Sequence, residues 1–220
     1  MSNRLAIFDC DGTLVDGQAN VCLAMERCFG EAGLPLPSRE HSRRIVGLSM
    51  VEAMQAMLPE AAPEQHASLA EGYKRHFQQM RAEGLVAEPL YEGILELLQA
   101  LEDGEWLLGV ATGKSDRGLT LCLEHHGLRQ RFLTLQTADR HPSKPHPSMI
   151  EQAMADAGAA PETTLMIGDT SYDMAMAKAA GVTAIGVAWG YHSAKELEAA
   201  GADYIADTPA DIAGFVKALE

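Results

Sequence analysis

Short apolar runs of strand length alternate along this chain with segments of helical periodicity, and that alternation limits the fold more than any other feature. The runs lie at residues 5–8, 106–112, 132–135, 164–168, 184–189 and, more weakly, 204–206. Each is almost continuously apolar and sharply bounded, as expected of a strand buried on both faces of a parallel sheet. Helical segments at residues 94–101, 117–127, 148–157, 172–180, 194–200 and 210–219 separate most of them. The expected class is therefore α/β, a doubly wound parallel sheet. Sheets of this kind bind their ligands beyond the carboxyl ends of the strands.

One interval breaks the pattern. Between Asp16 and Glu88 there is no convincing strand, only helix-like sequence at residues 19–32, 38–46, 50–58 and 63–83. Pro35, Pro37, Pro59 and Pro63 punctuate it, with Gly33 and Gly47 as helix stops. The expected organisation is a sheet domain from residues 1–16 and 89–220 with a helical module, residues 17–88, inserted after the first strand.

The module leaves the sheet at an acidic turn. Asp9-Cys10-Asp11-Gly12-Thr13 follows the apolar Leu5-Ala6-Ile7-Phe8. Two carboxylates two residues apart project to the same side of an extended backbone, and each raises the cost of ionising the other. A cation between them resolves the conflict, as does a division of labour in which one attacks while the other carries a proton. A solvated strand end is the plainer alternative, because Asp and Gly are common turn residues.

Further polar residues follow the later strands: Thr112-Gly113-Lys114-Ser115, Thr137-Ala138-Asp139 with Ser143-Lys144-Pro145-His146-Pro147, and Gly168-Asp169-Thr170-Ser171-Tyr172-Asp173. Singly, each has an ordinary reading: Thr112 as a polar strand end, Lys144 as a loop lysine, Asp173 as a first-turn aspartate favoured by the helix dipole. Together they fall on one sheet edge with Asp9 and Asp11. That edge would hold four carboxylates, a hydroxyl, a glycine amide and at least one lysine.

Charge restricts the partners. With 17 Lys+Arg against 31 Asp+Glu the formal net charge is −14, which argues against nucleic acid and against an anionic membrane surface. The four cysteines, Cys10, Cys22, Cys28 and Cys122, have no zinc-ligand spacing and read as small apolar residues of a reducing compartment, with Cys10 turned from the carboxylates into the core. No signal peptide fits the start of the chain, and the least charged stretch, residues 179–194, is broken by Gly181, Gly186 and Gly190, so a cytoplasmic location is expected.

The four segments headed by Asp9, Thr112, Lys144 and Asp169, in that order, resemble the motifs of the haloacid dehalogenase superfamily. Residues 179–182 and 186–190 are similar to its phosphoglycolate phosphatase-like branch. The resemblance implies a Rossmann-like core, with residues 17–88 as a helical cap. It makes Asp9 the nucleophile that forms an aspartyl-phosphate, and Asp11 the acid for the leaving oxygen and then the base for water. It implies Mg2+ held by Asp9, the Asp11 carbonyl and Asp169, with Asp173 orienting the metal's waters. Thr112 and the Gly113 amide would hold phosphoryl oxygens while Lys144 neutralises nucleophile and transferred group. Lys114 reads either as an extra phosphate contact or as a solvated lysine. Arg43 and Arg44 read as binders of a second anionic group or as part of a solvated helix, and Arg44 is taken as a substrate-binding candidate.

The resemblance has departures. Gly17 stands where a serine often follows the first motif, and Leu48 and Met50 stand where other members offer charged residues in the cap loop. Tyr191 and His192 could line the entrance, though a lone histidine there is more often a surface residue.

The reaction implied is magnesium-dependent hydrolysis of a small phosphorylated metabolite, phosphoglycolate being the first substrate to try. A sugar-phosphate mutase of the same superfamily is the nearest rival, and a phospho-acceptor signalling module without turnover is a rival of another class. A phosphonate-cleaving relative needs a cap lysine near the hinge, and Lys74, the only lysine of residues 17–88, lies far from it. Dehalogenation leaves Asp11 without a role. The sequence is silent on oligomeric state.

Overall fold

The computed structural model describes residues 2–218. Six parallel strands form one sheet in the order β3-β2-β1-β4-β5-β6: β1 (Asn3–Phe8), β2 (Trp106–Thr112), β3 (Phe132–Thr137), β4 (Ala159–Gly168), β5 (Thr183–Val187) and β6 (Tyr204–Ala206). β1 and β4 are neighbours, with Phe8 beside Ile167, so Asp9 and Asp169 emerge side by side from the centre of the sheet.

Both faces are covered, which is why the runs lack polar alternation. In β1, Ala6 and Phe8 join one buried cluster while Leu5 and Ile7 join another on the opposite face. The first cluster is closed by α5 (Ile94–Asp103), α6 (Asp116–His125) and α10 (Pro209–Lys217), through Leu97, Leu119 and Ile212 among others. The second is closed by α7 (Ser148–Ala157), α8 (Ser171–Ala180) and α9 (Ala194–Ala199), through Ile150, Met174 and Leu197.

Several strand limits differ from the sequence expectation: β1 begins two residues earlier, at Asn3, β3 ends two later, at Thr137, and β5 begins one earlier, at Thr183. β4 begins at Ala159 and carries Pro161, because its first residues meet β1 only across a register shift between Asn3 and Leu5, where a missing N–H costs no ladder bond. β5 ends at Val187, two residues early, where the chain turns toward Gly190. The expected end of the last helix at Leu219 lies outside the described residues.

The inserted segment holds four helices, α1 (Gln18–Glu31), α2 (Arg39–Arg44), α3 (Met50–Met57) and α4 (Pro63–Ala82), and no strand. Its apolar residues, including Met25, Phe29, Met54, Leu69 and Tyr73, form a third cluster separate from the two that sandwich the sheet. The chain leaves and re-enters side by side: Asp16 N–H donates to Pro89 O at 2.9 Å and Tyr91 N–H to Leu14 O at 3.1 Å. No helix among the described residues is long and apolar enough to cross a membrane.

Candidate active site

Asp9 is held by the backbone before its side chain does anything. Its N–H extends the sheet by donating to Ile167 O at 2.9 Å, and its Oδ1 accepts the Cys10 N–H at 2.6 Å. Oδ2 is left facing Lys144 Nζ at 3.0 Å. Lys144 Nζ also lies 2.7 Å from Asp173 Oδ1. Asp173 is a helix-capping residue as well: its Oδ2 accepts the Thr170 N–H at 3.1 Å and the Thr170 hydroxyl at 2.7 Å, closing a capping box on α8. Oδ2 thus serves the helix cap, while Oδ1 is turned to Lys144.

Asp169 follows β4. Its Oδ1 accepts the Thr13 hydroxyl at 2.9 Å and its Oδ2 the Tyr191 N–H at 2.9 Å. Gly12 makes this approach possible: its φ of 84° is unfavourable for a side chain, and a Cβ there would collide with Asp169. Asp9, Asp169 and Asp173 each present an oxygen within 4.8 Å of the others, and all three are buried.

Charge in this dry floor does not balance. Burial pushes the Asp9 carboxyl up to about 7 against the pull of Lys144 and lifts Asp169 well above the usual carboxylate range, the Asp9 charge adding to it. Burial opposes the Lys144 charge, but Asp173 and Asp9 outweigh it and raise its proton affinity. One ammonium, paired to Asp9 and Asp173, is set against three buried carboxylates, and Asp169 has no cation beside it among the described ion pairs. An all-oxygen, net negative, buried cluster of this kind fits Mg2+, a hard cation that binds through carboxylates and keeps some of its water.

A second lysine stands beside the first. Lys114 Nζ lies 3.0 Å from Asp11 Oδ1 and 2.7 Å from Glu88 Oε1, and over the Phe77 ring at 5.7 Å. It is not a solvated lysine. Glu88 in turn accepts from Arg81 Nη2 of α4 at 2.7 Å. Burial opposes the charge on Glu88, yet Lys114 and Arg81 hold its carboxyl below the ordinary value. Asp11 is raised, chiefly by burial. Glu88 escaped the sequence reading: it sits at the module's exit before Pro89, outside every motif, and no local pattern marks it.

Asp9, Asp11, Thr112, Gly113 and Lys114 floor a cavity of about 510 Å³ roofed by the inserted helices. Thr112 is buried at the end of β2, its Oγ1 3.3 Å from the Lys114 N–H. The residues 47–49 loop closes over this floor: Ser49 N–H donates to Ser143 Oγ at 2.8 Å, and a Cβ on Gly113 would meet Leu48 O at 2.6 Å.

The structure thus gathers Asp9, Asp11, Thr112, Gly113, Lys114, Lys144, Asp169 and Asp173, and leaves Arg44 apart. Arg44 is exposed and does not line the cavity; its Nη2 pairs with Glu196 Oε1 of α9 at 2.5 Å, and its carbonyl accepts the Tyr172 hydroxyl. A short helix turned toward α9 carries it away from the floor. His192 is also a correction: it is buried, and its Nδ1 accepts the Ser171 N–H at 3.0 Å.

Comparisons with known proteins agree with this geometry. The family model of haloacid dehalogenase-like hydrolases matches residues 6–187. The chain is 36% identical over 219 residues to a probable phosphatase, IndB, of Dickeya dadantii, covering 98% of this chain and 94% of that one. It is 28% identical over 221 residues to a phosphoglycolate phosphatase of Vibrio vulnificus, covering 97% and 96%. The crystal structure of a predicted phosphatase from Clostridium acetobutylicum superposes with a TM-score of 0.88 at 25% identity, covering 98% and 99%.

Proposed function

This chain belongs to the haloacid dehalogenase-like hydrolases and is a phosphatase of that family; from that premise we propose that it hydrolyses a small phosphomonoester in two steps through Asp9, with Mg2+ as cofactor. Asp9 Oδ2 attacks phosphorus as the ester P–O bond breaks, and Asp11 delivers a proton to the departing oxygen. Asp11 then accepts a proton from the water that attacks the aspartyl-phosphate, releasing inorganic phosphate and restoring Asp9. Thr112 Oγ1 and the Gly113 N–H hold the phosphoryl oxygens, and Lys144 opposes the charge that develops on them. Asp9, Asp169, the Asp11 carbonyl and, through water, Asp173 would hold the Mg2+, which when bound neutralises phosphoryl oxygens.

The observation that carries this reading is the trio of buried carboxylates, Asp9, Asp169 and Asp173, with oxygens within 4.8 Å of one another and Lys144 paired to Asp9 and Asp173. Asp11 supports the acid role: burial raises its carboxyl above the ordinary carboxylate value, against the pull of Lys114. We further propose that residues 17–88 act as a cap whose movement admits substrate and excludes bulk water. A cytoplasmic location accords with four unpaired thiols.

The test is a screen of phosphorylated metabolites with Mg2+, phosphoglycolate included as the reference because a relative bears that name. Release of inorganic phosphate without a bisphosphate activator is expected. A strict need for such an activator points instead to a mutase, and a lasting phospho-Asp9 without turnover to a phospho-acceptor module.

A further inference from the structure

Beyond the phosphate subsite, the cavity is built for something other than a second anion. Its roof and far wall carry Tyr73 and Phe77, whose rings lie 5.9 Å apart, with Leu48, Met50 and Leu121 around them. At about 510 Å³ it has the size of a pocket for a drug-sized ligand, which the body of a two-carbon acid leaves largely empty.

The position of each nearby cation is decisive. In phosphoglycolate the carboxylate is one carbon from the ester oxygen, so it must lie close to the phosphate. The nearest ammonium there, Lys114, is already held between Asp11 and Glu88. Arg81 is committed to Glu88, and Lys74 pairs with Glu71 at 3.0 Å. The remaining wall cation, Arg117, is exposed on α6. The cap segment that reaches furthest down, against Gly113, offers Leu48 rather than a charge, and Leu48 is buried. A carboxylate at this point would lose its hydration and meet an apolar side chain and a backbone carbonyl, both unfavourable.

We infer that the substrate is a phosphomonoester with an uncharged, apolar or aromatic body, packed against Phe77 and Tyr73, and not a phosphorylated carboxylic acid. Phe77 is the specificity-determining side chain. This rests on the phosphatase reading above and narrows its substrate class.

The experiment compares kcat/KM for 2-phenylethyl phosphate, ethyl phosphate and phosphoglycolate with Mg2+. All three release primary alcohols, so leaving-group ability does little to separate them. Burial of one phenyl ring predicts an advantage of about 30-fold for 2-phenylethyl phosphate over ethyl phosphate, and a larger one over phosphoglycolate. Phe77→Ala should cut the phenylethyl-to-ethyl ratio to about threefold or less, mostly through KM. If Phe77→Ala fails to fold, Met50→Arg supplies a cation at the cap loop and should move the preference toward phosphoglycolate. Phosphoglycolate turned over as well as or better than 2-phenylethyl phosphate overturns the inference and leaves the phosphatase reading standing. Hydrolysis of none of the three, nor of any compound in the wider screen, overturns both.

Discussion

Two lysines, each set between two carboxylates, sit at the same sheet edge, and their surroundings differ. Lys144 is fully enclosed and its partners, Asp9 and Asp173, are fixed by β1 and the N-terminal turn of α8. Lys114 keeps about a tenth of its side chain exposed; one partner is the core's Asp11, but the other, Glu88, lies where the chain returns from the cap and is tied to cap residue Arg81. The first arrangement lies wholly within the sheet domain: Asp9 follows β1, Asp173 stands in the first turn of α8, and Lys144 lies on the loop between β3 and α7. The second spans the junction between the sheet domain and the inserted helices. In the proposed reaction one lysine would serve the reacting atoms, and the other would couple them to the inserted helices.

The largest effect that separates the two regions is expected from Asp9→Asn. It should lower phosphate release by about 10⁴-fold or more while the metal-free protein melts no earlier, because a like charge has left a crowded site. Residual turnover of a few per cent would show that Asp9 is not the nucleophile. Lys144→Met should cost about 10³-fold in kcat and roughly 3–5 kcal/mol in denaturant stability, since it leaves buried carboxylates without their cation. If Lys114→Met proves equally destabilising, the two lysines do not differ in the way their partners imply.

A smaller effect is expected from Glu88→Gln, which keeps the shape and removes the charge. A loss of about tenfold in kcat/KM fits one charge-assisted hydrogen bond, with KM moving as well as kcat because the cap is less well placed. Protonation separates the regions too. In the folded, metal-free protein Asp9 holds its proton up to about pH 7, against an ordinary value of 3.8. The folded state therefore binds more protons between those values, and its stability through this group falls as pH rises across the window. Saturating Mg2+ should raise the melting temperature by about 5–10 °C at pH 7.5 and by clearly less at pH 5, which differential scanning calorimetry would measure. The smallest effect belongs to Arg44→Ala: an exposed pair with Glu196 predicts a change in kcat/KM of about threefold or less. A hundredfold loss would return Arg44 to the substrate site.

Much of the fold was legible because periodicity is a local property. The limits of β2 (Trp106–Thr112), β6 (Tyr204–Ala206) and α7 (Ser148–Ala157) follow from where apolar runs and helical spacing stop. The strandless interval after Asp16 stood out for the same reason. Three of the four motifs were legible because they follow strand ends directly, where a turn must contain polar residues anyway and an excess of acids is conspicuous; the fourth, at Lys144, lies on the loop between β3 and α7. Glu88, the aromatic wall of Tyr73 and Phe77, and the pairing of Arg44 were not, because each depends on which helix faces which. On α4, Tyr73 and Phe77 occupy positions i and i+4 of an apolar stripe, which looks the same whether it covers a core or lines a cavity. His192 misled for a related cause: a lone histidine after a glycine looks exposed until α8 is placed against it.

By itself, the sequence settled the strands and helices, the inserted module and the group of polar residues destined for one edge, because hydrophobic spacing and strand-end chemistry are written within a few residues of each other. Only the tertiary structure decided which cations remain free to meet a substrate. Ion pairing between Lys114 and Glu88, or between Arg44 and Glu196, joins side chains far apart in the chain, and no local pattern records a distance across the interior.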